Sequence, residues 1–522
     1  MSAPPDPVQL RVFENLLSAI ADEMGTALER MGFSPNIKER LDHSCAVFDG
    51  VGEMVAQAEH MPVHLGAMPM SVRAALDAHR FGRGDVILLN DPWQGGTHLP
   101  DLTMVSGYFD GDDDTPLFYL ANRAHHADVG GVIPGSMGLF RTIDEEGVLI
   151  PPTLVIEGGV EIPGVLEGFF SKMRNPGERR GDLDAQLGAL RVGEMGLERL
   201  LERIGRNDLL ERCGALQDAA ERHVERLIAS IPDGRWHGEE FLDDDGFQTG
   251  PIPLRVAVTV SALAAHFDFT GSAPATEGPM NCNPAVVTSA VFYVLRTLAG
   301  EEIPSNSGCL RPVEITIPTD SILDPPRGSA VAAGNVETSQ RLVDLLFTAL
   351  APALPDRVPA QSQGTMNNLV LGNDEIAYYE TIGGGGGASP RSDGISGRHS
   401  HMSNTRNTPV EQLEHALAVR VIEYSLRRGS GGSGTHVGGD GIVREIELLE
   451  SFEAAILSER RQSAPAGLAG GLAGEPGRNT LTHEGQRREL PGKWQGILAA
   501  GDRLRIETPG GGGWGNPETT AE

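Results

Sequence analysis

A mixed α and β (α+β) fold of several domains is predicted by three observations. Long stretches carry apolar residues every three or four positions, short β-branched and aromatic runs are bounded by Gly, Pro and Asp, and the final third is dense in glycine. At 522 residues the chain exceeds one ordinary core and, at roughly 100–200 residues per domain, holds two to four. With 67 Gly and 35 Pro it reads as a loop-rich globular enzyme rather than a helical bundle. The patterns divide it into an α/β part over 1–180, a helical segment over 181–232, and a β-rich, Gly-rich part over 233–522.

Between Pro7 and Arg40 the residues Leu10, Phe13, Leu17, Ile20, Met24, Leu28 and Met31 keep helical spacing, so one amphipathic helix is expected. A strand over Ser44–Asp49 follows, then a loop through Glu59, His60 and His64, and a helix around Met70–His79. His60 and His64 read as loop or core histidines held by backbone hydrogen bonds. Asp85–Asn90, Leu102–Phe109 and Leu117–Ala121 are rich in Val, Ile, Leu, Tyr and Phe and read as strands, the last two joined by the turn GDDDTP. The stretch Gly181–Ile231 keeps Leu and Ile on one helical face and charges on the other, which predicts scaffold or subunit contact. Strand signals resume at Ile252–Thr259, and MNCNP leads into a buried helix before Gly300.

Four glycine-containing stretches lie near Asn335, Glu380, Ser430 and Trp514, either as tight turns or as loops pressed against a ligand or partner. GxGxxG is met by letter from Gly429 and Gly510, but the first follows a helix-like stretch and the second lies near the chain end. GxxxxGK[ST] is absent, so no nucleotide cradle is read here.

A formal net charge of −30 argues against a phosphate-backbone partner, so nucleic acid is not expected. Cys45, Cys213, Cys282 and Cys309 lie far apart without CxxC pairing, which fits buried thiols in a reducing cytosol. No basic-then-apolar leader opens the sequence and no apolar run approaches a membrane span, so a soluble cytoplasmic protein without membrane contact is expected.

The chemistry concentrates in Gly84–Met137, where ligand-type residues fall at strand ends. In HLPD, His98 and Asp101 are three apart, close enough for a bent loop to aim both at one point, and His125 ends a following strand. Two imidazoles and a carboxylate leave coordination positions open, as a catalytic zinc, iron(II) or manganese requires. The residues alone leave a second reading open, in which HxxD is a turn pair and the HHAD histidines are hydrogen-bonded core residues.

GGTHLPDLT, RAHHADVGGVIPGSM, GNVETSQR and RHSHMSNTRNTPVE, in this order, resemble the hydantoinase B family. That family comprises B subunits of ATP-dependent N-methylhydantoinases, the C-terminal half of 5-oxoprolinases, and related caprolactamase and acetone and acetophenone carboxylase subunits. The resemblance runs from about Asn15 to Pro517. It implies a hydantoinase B-type fold and a cytoplasmic enzyme working with a hydantoinase A-type subunit that binds ATP with Mg and phosphorylates the substrate. A heterotetramer or larger assembly is expected.

Carried over by residue, the family's divalent metal falls on His98, Asp101 and His125, with Asp42 as candidate fourth ligand. The carboxylase branch resembles this region but has His-Gln where this chain has His125-His126. That favours His125 as ligand and His126 as a second group near the metal or a proton carrier, with Asp128 orienting one of the two. The implied reaction hydrolyses a hydantoin, 5-oxoproline or lactam ring: phosphorylation activates the carbonyl, and water of lowered pKa attacks it. His399 and His401 are pocket-lining candidates, although a structural role is favoured. The alternatives are a ketone carboxylase subunit, against which HHAD argues, and a non-catalytic partner of the ATP-binding chain.

Overall fold

A computed structural model describes residues 6–58, 61–300 and 303–517. Helix α1 (Pro7–Met31) starts where Asp6 accepts the Val8 amide at 3.4 Å and Pro7 fills the first turn; it buries Phe13, Leu17, Ile20, Met24 and Leu28 on one stripe. Gly32 and Pro35 end it, so the single helix expected through Arg40 stops at Met31 and only a short turn, Pro35–Lys38, follows.

The next strands, β1 (His43–Asp49), β2 (Met54–Gln57), β3 (Val86–Leu89), β4 (Asp101–Tyr108), β5 (Phe118–His125), β6 (Thr153–Glu157) and β7 (Val160–Glu161), form one seven-stranded sheet of order β2-β1-β5-β4-β3-β6-β7. Its pairs are antiparallel, and β5 runs past the expected Ala121 because β4 pairs with it without a break to Asp101 opposite His125. Side chains of β1, β3, β4 and β5 alternate between the two faces. Ala46, Phe48, Ile87, Leu89, Val105 and Ala121 enter one core, whereas Cys45, Val47, Leu88, Leu102, Met104 and Leu120 enter a second. Both faces are covered, the first by α2 (Ala67–Ala78) and the second by α1 and α3 (Pro176–Ile204).

The helical segment is two helices, α3 and α4 (Arg206–Ala229), separated by Gly205 at φ 84°. A second sheet holds β8 (Gly234–Leu242), β9 (Ile252–Ser261), β10 (Ala264–Asp268) and β11 (Val313–Thr316) in the order β11-β10-β9-β8. Asn283 caps α5 (Pro284–Ala299) by accepting the Val286 amide at 3.2 Å. A π-helical turn, Gly334–Thr338, leads into α6 (Ser339–Leu350), which packs on β8 and β9.

Beyond residue 367 come β12 (Asn368–Gly372), β13 (Ala377–Glu380), β14 (Val419–Arg427), β15 (Gly441–Leu448), β16 (Phe452–Leu457), β17 (Arg478–His483), β18 (Gln486–Leu490), β19 (Lys493–Leu498) and β20 (Arg503–Glu507). They make two sheets, β13-β12-β16-β19 and β14-β15-β20-β17-β18, around a third core.

The glycine runs press on one another. The amides of Gly439 and Gly511 donate to Gly386 O and Gly439 O, each at 2.9 Å, and the Gly512 amide donates to Gln361 O at 2.8 Å. A Cβ on Gly385 would stand 2.0 Å from Gly439 O, and one on Gly510 would stand 1.9 Å from Ser430 O. These residues are glycine because backbone abuts backbone. Among the described residues no helix is long and apolar enough to cross a membrane, and all four cysteines are free and buried.

Candidate metal centre

Asp101 opens β4 and His125 closes β5 directly opposite it, while the loop from Thr97 brings His98 alongside. His98 Nε2 lies 3.0 Å and His125 Nδ1 3.2 Å from Asp101 Oδ1, and the two ring nitrogens are 3.2 Å apart. All three side chains are buried. Metal–ligand bonds of about 2.0–2.2 Å place neighbouring ligands about 3.0–3.4 Å apart, so this triangle fits a divalent ion without rearrangement. Two imidazoles facing each other and sharing one carboxylate oxygen bring three donor atoms to one point. A cation satisfies all of them at once.

The second carboxylate oxygen is also held. Thr97 Oγ1 donates to Asp101 Oδ2, and His64 Nε2 lies 3.4 Å from it, with His64 Nδ1 2.9 Å from Ser44 Oγ. Burial opposes charge on Asp101, but the His98 charge and the bonds from His125, His64 and His98 prevail and hold the carboxyl well below the usual carboxylate range. Burial pushes His125 below its ordinary value, against the Asp101 bond and the Asp42 charge that raise it. An ionised carboxylate and a neutral imidazole are the forms that bind metal.

Two of the expected residues lie elsewhere, and the pleat explains the first. His126 follows His125 and turns to the opposite face, where its Nε2 lies 2.9 Å from Gln186 Oε1 of α3. Gln186 Nε2 already donates to Leu102 O and Asn122 Oδ1, so Oε1 accepts from His126 Nε2–H. Burial lowers the His126 pKa to about 4, against the Asp182 charge that raises it, which keeps the ring neutral. Asp128 was expected to orient a histidine. Its carboxylate instead accepts from the amides of Gly130 and Arg174 at 2.9 Å and of Gly135 at 3.1 Å, and from the Arg174 guanidinium at 3.1 Å, which pins the loop after β5. His126→Gln is therefore expected to keep metal content and rate near wild type while lowering stability by about 1–3 kcal/mol. Metal analysis and thermal unfolding of the variant check this.

Asp42 adjoins the cluster without joining it. Its backbone oxygen accepts the His125 amide at 3.0 Å, its carboxylate is 3.9 Å from Arg40, and the donor atoms that lie within 4.8 Å of one another belong to His98, Asp101 and His125. Glu59 and His60 lie outside the described residues. His399 Nδ1 is 2.9 Å from Ser403 Oγ, and His401 Nε2 is 3.3 Å from Asp344 with Tyr293 and Phe347 packed around it. Sequence reasoning treated His64 as a core histidine, because nothing in its spacing ties it to HLPD. Tyr379, whose ring stacks on His125 at 4.7 Å and 15°, was not expected at the site, because a Tyr in a short strand carries no local mark of a contact so distant in sequence.

Comparison with known proteins agrees with the resemblance. The chain is 42% identical to 5-oxoprolinase 1 of Arabidopsis thaliana over 98% of its own length but only 42% of the plant protein's length. It is 29% identical to a Pseudomonas protein named as the B-type subunit of a D-/L-hydantoinase, covering 98% of this chain and 90% of that one. The crystal structure of ATP-dependent caprolactamase from Pseudomonas jessenii superposes with a TM-score of 0.90 at 27% identity, covering 98% of this chain and 92% of the other. Because residues 6–517 match the hydantoinase B/oxoprolinase family throughout, the chain belongs to that family.

Proposed function

We propose that this chain is the metal-bearing half of an ATP-dependent hydrolase of cyclic amides. The carrying observation is the buried His98–Asp101–His125 triangle in a chain whose relatives are named for a 5-oxoproline, a hydantoin and a caprolactam ring. Those rings differ in size and substituents, and the bond common to them is a ring C–N amide bond.

A bound zinc, iron or manganese ion would lower the pKa of water toward neutrality and polarise a carbonyl. The chain's own residues prepare for it: Asp101 supplies the negative charge, His98 and His125 supply ring nitrogens, and Thr97 and His64 hold the second Asp101 oxygen so that the first points at the site. An amide is a poor electrophile, so ATP-dependent phosphorylation of the amide carbonyl oxygen by the partner supplies the activation. Water oxygen then bonds to the activated carbon, the ring C–N bond breaks and nitrogen takes a proton, which leaves an acyl phosphate; a second water cleaves that mixed anhydride to carboxylate and free phosphate.

The chain covers well under half of the plant oxoprolinase but 90% of the Pseudomonas protein named as a B-type hydantoinase subunit. On this reading a hydantoinase A-type ATP-binding polypeptide completes the enzyme, as a heterotetramer or larger assembly in the cytoplasm. Position 126 faces Gln186, so it does not separate hydrolysis from carboxylation. The test is co-expression with the cognate A-type chain, size-exclusion chromatography, and an ATP-dependent screen of hydantoins, 5-oxoproline and lactams. Ring opening that requires both chains and ATP is expected. Ring opening by this chain alone without ATP, or bicarbonate-dependent consumption of a ketone in place of ring opening, overturns the proposal.

A further inference from the structure

Metal-binding histidines ordinarily donate their remote ring N–H to a carboxylate or carbonyl, which fixes the plane of the ring. Among the described residues His125 Nε2 has no such partner. What lies against the imidazole is the ring of Tyr379, stacked at 4.7 Å and 15°.

Tyr379 is itself held at its hydroxyl. It stands on β13, and its OH donates to Asn368 Oδ1 at 2.7 Å. The Asn368 amide has one orientation available: Nδ2 donates to the Leu457 carbonyl at 2.7 Å and to Glu337 Oε1 at 2.7 Å, so Oδ1 must face the phenol. Glu337 sits on the π-helical turn and is fixed by the Met366 amide at 3.0 Å. Arg40 lies over the Tyr379 ring at 4.7 Å and bonds the Tyr379 carbonyl at 2.6 Å. Burial, against the charge of Arg40, keeps the phenol well above its ordinary pKa, so the ring stays neutral. A buried chain of hydrogen bonds of this kind, anchored on the backbone at Leu457 and Met366, restricts an aromatic ring to one position.

We propose that Tyr379 is the positioning residue that sets the plane of the His125 imidazole, and that Asn368 and Glu337 hold Tyr379 in register for that role. The proposal rests on the metal reading of the triad. It gives the π-turn of GNVETSQR and the YYE strand, neither of which supplies a ligand in that reading, a shared task at the centre.

The test titrates the purified full chain with Co2+ alone and records the dissociation constant, the visible absorption of the bound ion and the melting temperature. Tyr379→Leu is expected to raise the dissociation constant by about 10- to 100-fold, the range for losing a residue that orients a metal ligand, and to change the absorption spectrum. Tyr379→Phe keeps the ring but frees its anchor, and is expected to weaken binding by about threefold. His98→Ala is the reference. If the wild-type chain binds no Co2+, or His98→Ala binds as wild type does, the metal reading fails and this proposal with it. If His98→Ala abolishes binding while a folded Tyr379→Leu keeps the wild-type constant and spectrum, the positioning role alone fails, even if the melting temperature drops. Should Tyr379→Leu not fold, an unchanged constant and spectrum in Tyr379→Phe overturns the proposal.

Discussion

Asp101→Ala is expected to strip the metal and lower turnover, measured with the ATP-binding partner, by on the order of a thousandfold or more. Asp101 Oδ1 faces both His98 Nε2 and His125 Nδ1, and Oδ2 is shared by Thr97 and His64, so the substitution removes the charge of the centre and the common partner of three imidazoles. His64→Ala removes only a contact to Oδ2, so a smaller loss of metal affinity, about 10- to 100-fold, is expected. Metal content by elemental analysis, circular dichroism and rate for the two variants give the ranking. Full metal occupancy and turnover in Asp101→Ala would falsify the site assignment.

Gly511→Ala is the second large effect, and it acts on folding. A Cβ there would stand 2.0 Å from Gly386 O and 2.3 Å from Gly386 C, and the Gly511 amide is committed to Gly439 O at 2.9 Å. Backbone cannot swing aside as a flexible side chain can, so the cost exceeds the roughly 1–3 kcal/mol of ordinary overpacking. The expected outcome is loss of soluble protein or a sharply lower melting temperature. Gly214→Ala is the matched control: it lies in α4 with nothing within 4 Å of the added carbon, and a gain of about 0.5–1 kcal/mol is expected. Equal melting temperatures for the two variants would refute the account of the glycine layer.

Of the first sheet only strands β1, β3, β4 and β5 were legible, because apolar runs bounded by Gly, Pro and Asp identify a strand wherever it packs. Where a side chain points was not. Strand pattern alone does not separate His125 from His126, which only the family resemblance did, and the register of β5 against β4 puts one beside Asp101 and the other against Gln186. Asp128 looked like a carboxylate waiting for a histidine, but the amides of its own loop and of Arg174 are closer competitors. His64 and Tyr379 enter through contacts spanning long stretches of chain, which no local pattern encodes. The end of α1 was overrun because the apolar spacing continues past Gly32, while the breakers Gly32 and Pro35 act on the backbone.

The interlocked glycine runs also constrain the order in which the molecule is built. Segment 509–513 accepts or donates backbone bonds with Gly385, Gln361, Gly432, Gly439 and Leu472, all made earlier on the ribosome. Until it docks, those amides and carbonyls lack these partners and the loops at the ends of the C-terminal sheets stay unlocked. Contacts this distant along the chain make for slow closure. The glycine layer is therefore expected to lock late in folding, after the local strand pairs, and an unlocked layer leaves backbone donors and acceptors open to wrong partners.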